Sequence, residues 1–349
     1  MTPSPIPVGL VGAGRIGRLH AEHLRCRLPE ADLRMVTDVD PGAARSCAER
    51  FGIPQSGSDY RELLARPDLA AVIVCSPTDT HVGIIEAAAA AGKHVFCEKP
   101  IDAGLAPIDR ALAAVDRAGV LLQIGFNRRF DPNFRRVREA VVRGEIGTPH
   151  QVLIVSRDPA PPPLEYVRRS GGIFLDMTIH DFDMARFLVG SEIVEVYATG
   201  SVRVDPAIGE AGDLDTATVL LTFRNGVVAT IQNCRQAVYG YDQRVEVFGS
   251  AGSIRIDNNH PNTALLSGPE RVQRDLPLRF FMDRYLDSYL EEMRAFLAAI
   301  RSGSPSPVPG PDGRIPVLIA HAARQSHTLN RPVRLDEIDR PTIPHPPTP

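Results

Sequence analysis

Asp176, His180 and Asp183 stand four and three residues apart near the middle of the chain. If that stretch is one continuous helix, the spacing i, i+4, i+7 puts two carboxylates and an imidazole on one face of two successive turns. Such a group can move protons: an imidazole takes a hydroxyl hydrogen while a carboxylate orients it. The same donors can also hold Zn or Fe. A third use is local, because Asp176 follows Gly171-Gly172 and could be a helix cap. Choosing among these uses requires the rest of the chain.

Upstream, the apolar segment Ile6 to Val11 runs directly into Gly12-Ala13-Gly14-Arg15-Ile16-Gly17 and a helix-like run through His23 and Leu24. A second apolar segment, Leu33 to Thr37, ends at Asp38. The step from Gly17 to Asp38 is the separation of about 20 residues at which a dinucleotide site places its ribose-binding acid. Strand, glycine turn, helix and acid together are the signature of such a site. The glycines admit backbone N–H groups to a pyrophosphate at a helix N-terminus, and the acid accepts hydrogen bonds from ribose hydroxyls. Asp38-Val39-Asp40, with no arginine adjacent, would repel a 2′-phosphate, so NAD is expected rather than NADP. Gly12, Gly14, Arg15, Ile16, Gly17 and Asp38 are the first candidate cofactor contacts.

Alternation continues. Helices are expected at Ala43 to Phe51 and Tyr60 to Ala65, a strand at Ala70 to Cys75, an alanine-rich helix at Thr80 to Ala91, and a strand at His94 to Cys97. A helix near Pro107 to Ala118 and a strand at Val120 to Gly125 complete a doubly wound parallel sheet. Ligands of such sheets lie beyond the carboxyl ends of the strands. That adds Ser76, Pro77 and Glu98 to the cofactor list and places Lys99, followed by a φ-fixing proline, at the ligand edge. An ammonium there can hydrogen-bond a reacting oxygen and stabilise alkoxide character as hydride leaves its carbon. With a hydride acceptor and an electrophile supplied, a metal is redundant and none is expected.

After residue 127 the texture changes. A helix is expected at Pro132 to Arg143, then strands at Gln151 to Arg157, Val194 to Val204, Thr216 to Phe223, Val227 to Asn233, Arg244 to Gly249 and Gly252 to Asp257. Asn225-Gly226 is a hairpin signal, so this sheet should be mainly antiparallel. An apolar stripe from Leu286 through Tyr289, Leu290, Met293, Phe296 and Leu297 to Ile300 reads as a helix, and a last helix spans about Ile315 to Leu329. The expected organisation is a dinucleotide-binding domain over residues 1–127, a substrate and oligomerisation domain over 128–309, and a terminal helix with a proline-rich tail over 310–349. Five prolines in residues 341–349 should leave that tail mobile.

Composition agrees with this plan. The 349 residues are 43% hydrophobic, enough for two cores and an interdomain cleft. Thirty-nine basic against 42 acidic residues give a net charge of −3, which argues against nucleic acid or an anionic membrane as partner. No basic region followed by an apolar run opens the chain, and no stretch of about 18 apolar residues occurs. Cysteines 26, 47, 75, 97 and 234 form no C-x-x-C pair, so free thiols in a reducing, cytoplasmic setting are expected.

From about Pro7 to Leu335 this pattern resembles the glucose–fructose oxidoreductase and inositol dehydrogenase family, on the Gly12–Gly17 turn, the Glu98-Lys99-Pro100 triplet, and Asp176 with His180. Gly171 to Asp183, Ser156-Arg157-Asp158-Pro159 and Tyr239-Gly240-Tyr241-Asp242 are most similar to its inositol 2-dehydrogenase branch. The resemblance implies a Rossmann domain followed by an α+β domain with a large, open, mainly antiparallel sheet. It implies Lys99, Asp176 and His180 as the catalytic set, with His180 the general base. Asp183 and Tyr239 match positions that hold substrate hydroxyls, and Asp158 stands where some members carry asparagine. The implied reaction is NAD-dependent oxidation of a cyclic polyol, with myo-inositol the first candidate, in a homotetramer. Another inositol isomer, a pyranose sugar, or a catalytically silent NAD(H)-binding sensor are the alternatives.

Overall fold

The computed structural model describes residues 4–339; the proline-rich tail lies outside the described residues. The chain divides into two compact units. The first runs to Pro132 and takes in Tyr285–Val317, and the second holds Asn133–Arg284 and the chain from Leu318 onward.

In the first unit, β1 (Ile6–Val11), β2 (Ala31–Thr37), β3 (Gln55–Gly57), β4 (Ala71–Val74), β5 (His94–Glu98) and β6 (Leu122–Gly125) form one sheet in the order β3-β2-β1-β4-β5-β6. Every pair in it is parallel. The connecting helices are α1 (Arg15–Glu22), α2 (Pro41–Phe51), α3 (Tyr60–Leu64), α4 (Thr78–Ala90) and α5 (Leu105–Ala118). Their ends follow local chemistry. Asp40 caps α2 by accepting the Gly42 N–H at 2.8 Å, Pro41 starts the helix, and Gly52 ends it in the left-handed region. Strands covered on both faces are continuously apolar. Leu10, Leu33, Ile73 and Phe96 are fully buried, each worth roughly 1.5–3 kcal/mol of transfer free energy. Strand order reverses between β1 and β4, the place where such sheets bind ligands. Strand β3 has no counterpart among the expected strands.

The second unit holds α6 (Pro132–Val142), β7 (Pro149–Arg157), α7 (Leu164–Arg169), α8 (Ile173–Asp176), α9 (Ile179–Val189), β8 (Ile193–Ser201), α10 (Pro206–Glu210), β9 (Thr216–Phe223), β10 (Val228–Cys234), β11 (Asp242–Gly249) and β12 (Gly252–Ile256). Its sheet runs β12-β11-β7-β10-β9-β8, with the short strand Val333–Arg334 at the β8 edge. Only β7 and β10 pair in parallel; every other pair is antiparallel. Gly226, at φ +86, makes the expected β9–β10 hairpin. One face carries Ile154, Val219, Ile231 and Val245, all buried in register, while the other exposes Leu153, Leu220 and Phe248.

Two long helices close the chain. In α11 (Phe281–Ser302) the backbone leaves helical geometry at Tyr285, and beyond it Leu290, Met293, Phe296 and Leu297 join the core of the first unit. The expected apolar stripe holds from Tyr289 on, but Leu286 is 40% exposed. The last helix, α12 (Gly310–Leu329), starts ahead of the expected Ile315, and Asn330 stops it at φ +48. All five cysteines are free, and no helix among the described residues is long and apolar enough to cross a membrane.

Candidate active site

The glycine turn is built by close approach. Gly12 has φ +99, and a Cβ on it would lie 2.6 Å from the Cys75 carbonyl carbon at the end of β4. A Cβ on Gly17 would sit 1.9 Å from the Gly12 carbonyl oxygen, so only glycine lets α1 pack so near its own entry loop. Gly14, the N-cap of α1, is different: nothing lies within 4 Å of where its Cβ would be, and no side chain caps the helix. Open space over helix N–H groups without a side-chain cap, and no acid in the first turn, fits a pyrophosphate. Arg15 is exposed and Ile16 half-buried beside it. Asp38 follows β2 and accepts the Ala13 N–H at 2.7 Å and the Asp40 N–H at 3.0 Å, so the carboxylate expected to read the ribose also pins the glycine loop.

Ser76 and Pro77 lead from β4 into α4, and the Ser76 hydroxyl meets that of Thr80 at 2.6 Å. His81 is buried, its ring nitrogens each 2.8 Å from a carbonyl oxygen, one of Ser76 and one of Pro100, which ties the loops after β4 and β5 together. Glu98 ends β5 and Lys99 follows, half-buried, at the same carboxyl edge of the sheet. The Glu98 carboxylate reaches inward to His20, and the fully buried Glu292 of α11 completes a group whose donor atoms lie within 4.8 Å of one another. Among the described residues this is the one cluster with metal-ligand composition, and it is not the Asp176–His180–Asp183 set.

In the second unit that set does not occupy one continuous helix. Helix α8 ends at Asp176, Met177 and Thr178 form a turn in which the Thr178 N–H bonds the Ile173 carbonyl, and α9 begins again at Ile179. The break has a polar cause. The buried Thr178 hydroxyl lies 2.7 Å from Asn233 Oδ1, and Asn233 donates to Asp181 Oδ2 at 2.7 Å, so β10 holds the junction. The Thr178 hydroxyl also reaches the Ile173 carbonyl oxygen at 3.3 Å, and a local side-chain bond of that kind competes with the continuing helical ladder. At the start of α8 it is Asp213 Oδ1 that accepts the Ile173 N–H. Asp176 Oδ1 instead accepts the Tyr166 hydroxyl at 2.7 Å and Oδ2 accepts Arg235 Nη1 at 2.9 Å.

His180 lies in the first turn of α9 and is half-buried; Asp183, one turn on, is buried. Asp158 follows β7, its N–H donating to the Cys234 carbonyl at 3.0 Å. The parallel pairing of β7 with β10 brings the segments after both strands to one end of the sheet, where β11 begins. Asp158, Arg235 and Tyr239 all belong to that end. Tyr239 donates to Asp242 Oδ2 at 2.6 Å and accepts from Arg157 at 3.0 Å. Burial would raise the Asp242 carboxyl, but hydrogen bonds from Arg244, Tyr239 and Asn258 outweigh it and hold the group below the usual carboxylate range. Burial likewise opposes charge on Arg235, and the carboxylates of Asp176 and Asp213 overcome it. Tyr166 is half exposed as a residue, but desolvation of its hydroxyl beside Asp176, and then the charge of that carboxylate, push the phenol up.

A dinucleotide turn on a parallel sheet, followed by a mixed sheet with acids and an imidazole near one end, defines a nicotinamide-dependent oxidoreductase. Residues 6–126 match the profile described as the oxidoreductase family with an NAD-binding Rossmann fold, and residues 134–255 match the GFO/IDH/MocA C-terminal domain. The chain belongs to the GFO/IDH/MocA oxidoreductase family. Over 331 residues it is 50% identical to a myo-inositol 2-dehydrogenase of Thermotoga maritima, covering 95% of this chain and 99% of that protein. It is 45% identical to an inositol 2-dehydrogenase of Rhizobium meliloti, covering 94% and 98%. A scyllo-inositol dehydrogenase of Lactobacillus casei, solved with NAD(H) and scyllo-inositol bound, superposes with a TM-score of 0.89 at 31% identity, covering 95% and 99%.

Proposed function

We propose that this chain oxidises a secondary alcohol of a cyclic polyol to a ketone, with myo-inositol to 2-keto-myo-inositol as the lead reaction. The near-full-length identity of 50% to a myo-inositol 2-dehydrogenase carries the substrate reading. NAD, when bound, accepts the hydride. The chain's own residues do the rest. His180 takes the hydroxyl proton, Lys99 donates a hydrogen bond to the oxygen as its charge develops, and Asp176 fixes the orientation of the reacting group. Asp158, Asp183 and Tyr239 are assigned to the remaining hydroxyls. Because the Tyr239 hydroxyl already donates to Asp242, its contact with substrate is as an acceptor or as a shared donor.

The likeness to a scyllo-inositol enzyme favours a second isomer as the runner-up substrate. The exposed Leu153, Leu220 and Phe248 on one sheet face support self-association through that face, in the tetramer expected of the family. NADH formation across inositol isomers and common aldoses tests the reaction: turnover greatest with myo-inositol supports it, and NADH binding without polyol-dependent turnover would leave a sensor.

A further inference from the structure

Arg235 lies one residue past β10 with 1% of its surface exposed, and it spans two carboxylates. Nη1 donates to Asp176 Oδ2 at 2.9 Å and Nη2 donates to Asp213 Oδ2 at 3.2 Å. Asp213 accepts the Ile173 N–H on its other oxygen at 2.9 Å, so one ion-pair unit grips both the first and the last residue of α8. Gly172 makes room for this: at φ +87, a Cβ on it would come within 2.9 Å of Asp213 Oδ1. The second oxygen of Asp176 is engaged as well, because Oδ1 accepts the Tyr166 hydroxyl at 2.7 Å. A carboxylate with a guanidinium on one oxygen and a phenol on the other has one preferred rotamer.

We propose that Arg235 and Tyr166 are positioning residues for Asp176, holding its carboxylate as a fixed acceptor that does not itself carry the proton. Proton transfer then falls to His180 alone, and Asp176 sets where the reacting hydroxyl points. This rests on the assignment of Asp176 to the substrate side under the proposed function. Tyr166 is the informative member. Its side chain is 50% exposed, so phenylalanine keeps the packing and deletes only the hydroxyl. Arginine at 235 is equally specific, since lysine keeps the charge but cannot fork between two carboxylates.

The test uses the purified full chain. Tyr166→Phe should lower kcat about tenfold, the worth of one hydrogen bond to a charged group, with KM for NAD and the melting temperature unchanged. Arg235→Lys should lower kcat further yet retain more activity than Arg235→Met, and Asp213→Asn, which keeps an acceptor for Ile173, should lose less than either. Wild-type kcat in Tyr166→Phe, or losses that track lowered melting temperatures, would overturn the inference. If the wild type turns over no polyol, the functional reading fails separately. Crystal structures of Tyr166→Phe and Arg235→Lys then decide the positioning role: a rotated Asp176 carboxylate supports it and an unmoved one refutes it.

Discussion

The Oε1 atom of Glu98 lies 2.9 Å from Nε2 of His20, an imidazole with no exposed surface. Glu292 approaches the same nitrogen to 4.0 Å, also fully buried, and neither of its oxygens has a hydrogen-bond partner among the described residues. Burial and the charge of Glu98 push the Glu292 carboxyl well above its usual range. Two carboxyl groups thus share one buried imidazole, immediately upstream of Lys99.

A raised carboxyl contributes stability that is present below its unfolded value and lost as pH climbs through its folded value. Glu292→Gln mimics the protonated acid and should remove that alkaline loss. Urea midpoints compared at about pH 6 and about pH 9 should fall for the wild type and hold for the variant. Equal falls would count against a buried proton, and a stoichiometric divalent ion in elemental analysis would reassign the cluster as a metal site.

Lys99→Ala should leave NAD binding intact and lower kcat by about 10²–10³, the range for losing one electrostatic stabiliser. His180 as base predicts kcat/KM falling toward acid through a single apparent pKa. A flat profile with chemistry rate-limiting removes His180 from that role.

His23 gives a stability test independent of activity. Burial first, then proximity to His20 and Arg27, pushes it down to about 3. Below its ordinary value of 6.5 the unfolded chain takes up a proton that the folded chain refuses, so stability falls as pH drops from there toward 3. The slope is at most about 1.4 kcal/mol per pH unit for one proton. His23→Leu should flatten the acid limb of unfolding free energy against pH. An unchanged slope would show that His23 is not its source.

Asp38→Ser should narrow the preference for NAD over NADP, read as the ratio of kcat/KM values. It should also lower the melting temperature, because the Ala13 and Asp40 N–H groups lose their acceptor. An unchanged ratio would remove Asp38 from coenzyme choice.

Local signals in the chain disclose most of the architecture. Gly12, in the turn after β1, Gly17, in the first turn of α1, and Asp38, after β2, stand where their spacing alone suggests, because a strand, a turn and a helix fix one another over short distances. Two kinds of feature stay hidden. Strand β3, Gln-Ser-Gly, has no apolar alternation and exists because β2 offers it an edge. Helix α7 follows a proline-rich segment and is only six residues long. The site is obscured for a different reason. The partnership of Asp176 with Arg235 joins residues far apart in sequence, and the α8–α9 junction is bonded through Thr178 to Asn233 of β10; no periodicity within 171–183 carries either fact.

The single parallel pairing of the second sheet, β7 with β10, has a consequence for how such a chain can change. Both strands finish at the same end of the sheet, so exposed positions in the segments that follow them, Val238 among them, can be exchanged without disturbing a register held by Ile154, Val219, Ile231 and Val245 on the buried face, whereas Arg235, buried between two carboxylates, is tied to the fold. The residues that hold the sheet in register and the exposed residues at its rim are thereby different sets. Exposed loop side chains at that one rim can therefore diverge at little risk to folding.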